Sequence, residues 1–174
     1  MTRSPHLPVL AEAPQLTLDL FAAAAPAADL PDLPPLVRAK TLWQPWAGLV
    51  AAVPKGKTVG LKGIETRPQR IAPGPLVICA GLHRDDEWLA RLRPRIPAWA
   101  LPWIELRGHA LALVIIGECR PLLPEDEAAA WFYAPGRKAM TIARCWPFKR
   151  PFAQRGIPGE FKVERERVLE AMAG

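Results

Sequence analysis

From Val37 onward the apolar runs of this chain are short, and most end at a proline or glycine, which limits the folded part to brief strands and helices joined by tight corners. Proline lacks a backbone donor and blocks helix interiors, so an element must finish before the next one is reached. Lys40-Thr41-Leu42-Trp43 reads as an entering strand, and Trp46 to Val53 as a short helix led by Pro45 and stopped by Pro54 and Gly56. Glu65 to Ile71 and Pro75 to Ala80 are strand candidates around the turn Ala72-Pro73-Gly74, the second almost wholly apolar and so central. His83 to Arg93 predicts a helix with Asp85, Asp86 and Glu87 at its positive end. Pro94 to Pro102 is too proline-rich to be regular, and Trp99 and Trp103 read there as lids over the core. A long strand from His109 to Arg120, a helix from Pro124 to Tyr133, strands at Ala139 to Cys145 and Phe161 to Val163, and a charged helix from Glu164 to Ala173 complete the set. Alternating strand-helix-strand crossovers are missing, as are GxGxxG and phosphate-binding glycine loops. The expectation is an α+β fold with a curled or closed mixed sheet and helices inserted between strands.

A chain of 174 residues at 50% apolar composition accommodates one domain with a substantial core plus a tail. Residues 1–36 hold seven prolines and a broken alanine tract with no sustained periodicity, which predicts a flexible arm ahead of a domain over 37–174. The arm carries Arg3 against Glu12, Asp19, Asp29 and Asp32, so with the chain at net +6 the remainder stands at +9. The folded part is the cationic part, and an anionic partner is expected. No apolar run reaches membrane-spanning length, no secretory leader is recognisable, and Cys79, Cys119 and Cys145 are odd in number and widely spaced. Buried thiols in a reducing cytoplasm follow, with no membrane contact. His6, His83 and His109 have no metal-ligand spacing with these cysteines, so neither metal nor other cofactor is expected.

The chemistry concentrates in Trp43-Gln44-Pro45-Trp46-Ala47, Gly56-Lys57-Thr58, Glu65-Thr66-Arg67 and Gly74 to Ala80. Indoles, an amide, a lysine, a carboxylate and an arginine gathered so closely suit the wall of a binding cleft better than a core. The order of these residues resembles the ASCH domain, a member of the PUA-like superfamily of small β-barrels that handle RNA, DNA or modified nucleosides. The resemblance continues through Arg107-Gly108-His109 to Arg150-Pro151-Phe152, Gly156, Gly159 and Phe161-Lys162-Val163, covering roughly residues 37 to 163. In one respect the chain departs from the family: Glu-x-Arg usually lies two residues beyond Lys-Thr, whereas Val59 to Ile64 intervenes here.

The resemblance implies two functions. In a binding module, Trp43 or Trp46 stacks on a base, Gln44 reads a polar edge, and Lys57 and Arg67 hold phosphates. In a hydrolase, the family's amidohydrolases on acylated cytidine use a lysine, a threonine and a glutamate; Lys57 and Glu65 match two of these, and Gly60 stands where the threonine belongs. Other members are described as nucleases, and Glu118, Glu125 or Glu127 remain alternative acids or bases.

Arg137, Lys138, Arg144, Lys149, Arg150 and Arg155 lie in a stretch without acids, interleaved with Trp146, Phe148 and Phe152. Cations and flat rings in alternation suit phosphates and bases, or else a solvated face whose rings are core. Within the arm, Gln15-Leu16-Thr17-Leu18-Asp19-Leu20-Phe21 alternates leucine with polar residues. It resembles the peptide by which bacterial replication and repair proteins dock on the sliding clamp. That likeness implies docking through Gln15, Leu16, Leu18, Leu20 and Phe21.

Overall fold

The structure, a computed structural model, describes residues 30–174. The clamp-like residues Gln15, Leu16, Leu18, Leu20 and Phe21 lie outside the described residues. Six strands, β1 (Leu36–Gln44), β2 (Ile64–Arg67), β3 (Gly74–Arg84), β4 (His109–Pro121), β5 (Lys138–Ala153) and β6 (Glu160–Glu164), make one mixed sheet in the order β2-β5-β4-β3-β1-β6. Only β1 and β3 run parallel. The helices are α1 (Trp46–Ala51), α2 (Asp86–Leu92), α3 (Leu101–Glu105), α4 (Glu127–Ala130) and α5 (Arg165–Ala173). Among the described residues no helix is long and apolar enough to cross a membrane. The α+β class and the mixed sheet with inserted helices are as expected.

Strand alternation builds two hydrophobic layers. Val37, Ala39, Val77, Cys79, Trp146 and Phe148 point to one face, where Val168 and Ala171 of α5 close over them. Leu42, Leu76, Ile78, Met140 and Ile142 point to the other, under α1 and α3. β3 is apolar on both faces because both are covered, which is why its sequence reads as a continuous run. Each fully buried leucine, isoleucine or phenylalanine here contributes about 1.5–3 kcal/mol.

Three expectations need correction. Closure into a barrel is not made: β2 and β6 end the sheet, and among the described residues no ladder joins β2 to β1. β5 is far longer than Ala139 to Cys145, because Pro147 falls opposite Ala112 at a register shift, where a residue without a ladder donor is tolerated. Pro94 to Pro102 is also more regular than its prolines suggest. It holds short 3-10 turns and leads into α3, whose Pro102 occupies a first-turn position that needs no donor. Trp103 is core, whereas Trp99 stays exposed.

One ion pair secures the segment that later supplies a wall of the site. Arg120 donates both terminal nitrogens to Asp126, at 2.6 and 2.7 Å, and Asp126 also accepts from the Leu123 backbone N–H. The Arg120 bonds, followed by that N–H, hold the Asp126 carboxyl down at about 2. A carboxyl depressed on folding stabilises above its ordinary range and loses that stabilisation as pH falls toward the folded value. Asp126→Asn is therefore expected to flatten the stability profile between about pH 4 and pH 2, measured as denaturation midpoint against pH. A profile parallel to the wild type would refute this.

Candidate functional site

β2 and β1 sit at opposite parts of the strand order, yet Thr41, Leu42 and Trp43 of β1 and Glu65, Thr66 and Arg67 of β2 line a single cavity of about 320 Å³. The sheet curls far enough to bring them face to face. β6 pairs with β1 only from Leu36 to Lys40, so beyond Lys40 that edge of β1 is left uncovered by β6. The unclosed seam of the sheet is the cleft.

Its floor is Lys62, which is 1% exposed. The segment carrying it is fastened by backbone bonds: Leu61 N–H donates to Ala52, Lys62 N–H to Leu49 and Gly63 N–H to Ala129, while Ile142 N–H donates to Gly63. Trp131 Nε1 donates to the Leu61 carbonyl at 2.7 Å. Trp131 itself has φ of 70°, a left-handed conformation rare for a bulky residue. Its ring enters the core while the next residue, Phe132, lines the cleft.

Lys62 Nζ donates to the Ile64 carbonyl and lies 3.2 Å from Glu65 Oε2; Arg67 Nε lies 3.1 Å from Glu65 Oε1. Burial pulls the Lys62 ammonium below the ordinary lysine range, and the nearby Glu65 carboxylate opposes that only in part. Glu65 Oε2 and Arg67 Nε are buried and within ion-pair reach, yet neither makes a hydrogen bond of good geometry. Such groups have directional capacity left for a polar partner. Arg137 donates to the Thr66 hydroxyl and carbonyl, and burial, then repulsion from Arg67, pulls its guanidinium down against the attraction of Glu65.

Above these charges stands a cage of rings. Trp46, Trp88 and Phe132 contact one another with centroids 5.3 to 5.4 Å apart, and all three line the cavity. Asp85 caps α2 by accepting from the Trp88 N–H, which fixes where that indole begins. The arrangement offers flat apolar walls, with Lys62, Glu65, Arg67 and Arg137 beneath them and Asp85 as a second carboxylate in the lining. It suits a planar, polar-edged molecule.

The expected residues divide. Trp43, Trp46, Glu65 and Arg67 line the cavity together. Gln44 turns away from it: wholly buried, its amide nitrogen donates to the carbonyls of Trp103 and Leu106 and its oxygen accepts from Gly48 N–H. It ties β1 to α1 and α3 and has no edge left to read a base. Lys57 is exposed in the turn after α1, and the lysine beside Glu65 is Lys62. Lys62 stands three residues before Glu65, and that interval is the one sequence signal that points to it. The residues of Val59 to Ile64 are therefore not an insertion between the paired charges.

The basic run does not form one patch. Arg137 is in the cleft and Arg155 lines an adjoining groove, while Lys149 donates to the end of α5 and Arg150 lies beside α5. Lys138 pairs with Arg67 across β2 and β5, and Arg144 lies over the Trp146 ring. Trp146 and Phe148 are core rings, and Phe152 stacks on Phe148. Glu118 lies 4.0 Å from Arg120, away from the cavity. Cys79 and Cys145 are buried free thiols, which burial pushes up, Cys79 to about 12, so neither is a ready nucleophile. Among the described residues no group of three His, Cys, Asp or Glu is placed to hold a metal ion.

Neither the protein-family models nor the curated proteins contain a match to this chain. Among solved structures it is similar to the ASCH protein of Zymomonas mobilis, at 12% identity and a TM-score of 0.44, over 78% of this chain and 93% of that one. A point variant of the same protein aligns at 10% identity and a TM-score of 0.44, over 78% of this chain and 94% of that one.

Proposed function

We propose that this chain is an ASCH-type, PUA-like domain that binds a nucleobase, either in RNA or DNA or as a modified nucleoside, in the seam between β1 and β2. The observation that carries this reading is the pairing of under-used polar atoms on Glu65 and Arg67 with the cage of Trp46, Trp88 and Phe132. A base stacks on or between rings and needs donors and acceptors at its edge, and both are supplied here. Glu65 accepts from an exocyclic amine or ring N–H, and Arg67 donates to a carbonyl or ring nitrogen.

One observation favours a second reading, a hydrolase in the same cleft acting on an acylated cytidine or a phosphodiester. Burial lowers the pKa of Lys62, and an amine so shifted is neutral, and basic, closer to neutral pH. A single titration separates the readings. Cytidine and N4-acetylcytidine are added while tryptophan fluorescence is followed, and the mixture is then assayed for acetate. Binding that falls about tenfold in Trp88→Leu, and falls also in Glu65→Gln, is expected, since stacking is worth roughly 1–3 kcal/mol per base. Acetate release that disappears in Lys62→Met would make the protein a hydrolase. Unchanged affinity in both cage and carboxylate variants would sink the proposed site.

A further inference from the structure

Beside the ring-caged cavity runs a second, wider groove of about 650 Å³, and the two share Thr41, Trp43 and Arg67. Its other walls are Lys40, the end of β3 at Leu82 and His83, and the loop Gln154 to Gly159. Lys40, Arg67, His83 and Arg155 line it, and no carboxylate does. The acid opposite Lys40 in the β1–β6 ladder, Glu160, is already engaged by Arg38 at 2.9 Å. Desolvation and then the charge of Arg67 lower the pKa of Lys40, as happens where cations are gathered ahead of an anion.

The groove is built in advance of any ligand. Thr41 Oγ1 accepts from the Ile157 N–H, and a Cβ on Gly156 would come within 2.9 Å of the Thr41 methyl, so the loop lies pressed on β1. At its start Gln154 N–H donates to Gly108, and Arg167 holds the Ala153 carbonyl. Trp43 stands on the ridge between groove and cavity, 55% exposed, with the His83 ring edge-on at 4.3 Å. Apart from that edge-on contact the indole is flanked by the cations of the groove and stays more than half exposed among the described residues.

We propose that the groove holds the nucleotide next to the one in the cavity, so that the ligand is a single-stranded polynucleotide rather than a free nucleoside. This rests on the reading of the cavity as a nucleobase site. Trp43 provides a face for the neighbouring base, and Lys40, Arg67 and Arg155 meet the phosphodiester between the two. The inserted base sits in the seam of the sheet, out of reach of a pairing partner, which selects an unpaired strand over a duplex.

The test compares fluorescein-labelled mixed-sequence hexanucleotides, RNA and DNA, single-stranded and annealed, with N4-acetylcytidine. The hexanucleotide single strand is expected to bind at least tenfold more tightly than the nucleoside, and the RNA and DNA arms identify the sugar. Arg155→Ala and Lys40→Gln should each remove much of that advantage and flatten the salt dependence by about 0.7 in log-log slope, while leaving nucleoside binding unchanged. Trp43→Ala should weaken the hexanucleotide more than the nucleoside. A hexanucleotide no tighter than the nucleoside, groove variants that weaken both ligands alike, or a duplex that binds as well as the single strand would overturn the proposal. Hexanucleotide binding that depends on Arg155 and Trp43 but ignores Trp88→Leu and Glu65→Gln would keep the groove and remove the nucleobase cavity.

Discussion

Replacing Lys62 by methionine is expected to destabilise the domain by about 3 kcal/mol and to abolish ligand binding, because it strips a buried carboxylate of one of its two close cations, the fully buried one. The side chains are similar in length, so the cavity keeps its shape and the loss is electrostatic. Glu65 would retain Arg67, 3.1 Å away, and the Ile64 carbonyl would lose its donor. The effect stays at the low end for a broken buried pair, because the ammonium of Lys62 is itself held down by burial and its removal relieves that cost. The sign of the pH dependence provides an independent check. A lysine depressed on folding binds its proton less tightly in the folded chain than in the unfolded one, so stability rises with pH between the lowered folded value and the ordinary lysine range. Lys62→Met should lack that rise. The double variant Lys62→Met with Glu65→Gln should recover stability relative to Lys62→Met alone without recovering binding, a coupling that chemical denaturation reads directly. If the two substitutions add without coupling, Lys62 and Glu65 are not the interacting pair at the base of the site.

Lys62 is also the residue that shows what a one-dimensional reading captures and what it misses. The strands and most helices were legible, because alternation and proline-led first turns are local properties. Glu65, Arg67 and Trp46 were legible as cleft residues because uncommon side chains are close together there. Lys62 lies between Leu61 and Gly63 and carries no local mark of burial, whereas Lys57, followed by Thr58, matches a familiar pair. Only the interval to Glu65 distinguishes them. The direction of the Gln44 amide depends on carbonyls of Trp103 and Leu106, about 60 residues away, and no spacing rule reaches that far. The basic run does not form a patch for a geometric reason: β5 stretches it out, so Arg137 and Arg155, just beyond its two ends, reach the cavity and the groove, while Arg144 lies over Trp146 of the α5 layer. Closure of the sheet was the hardest feature to foresee. It depends on where β6 stops covering β1, and that gap became the site.

Gly60→Ala is expected to be at least as disruptive, although Gly60 touches no ligand and carries no charge. A Cβ there would fall 1.9 Å from the Val50 carbonyl oxygen, 2.7 Å from its carbon and 2.9 Å from the Leu49 oxygen, all of them backbone atoms of α1. Leu49 and Val50 are fully buried under the sheet, so α1 has no room to retreat. The strain must be relieved by moving the 58–63 segment outward. That would break the bonds from Leu61 to Ala52 and from Lys62 to Leu49, and lift the floor of the cleft. Overpacking of this kind against rigid atoms costs about 3 kcal/mol or more, which for a domain of this size lowers the melting temperature by roughly 6–12 °C. Binding should be lost even well below the melting transition, since the paired charges would no longer share a position. Gly63→Ala is the control: the nearest atom to its added methyl, a Val59 side-chain carbon, lies at an ordinary 3.5 Å. That variant should melt within a few degrees of wild type and keep most of its affinity. Equal melting temperatures for the two alanine variants would mean that the segment carrying Lys62 is not clamped on α1, and that the site is assembled only when ligand arrives.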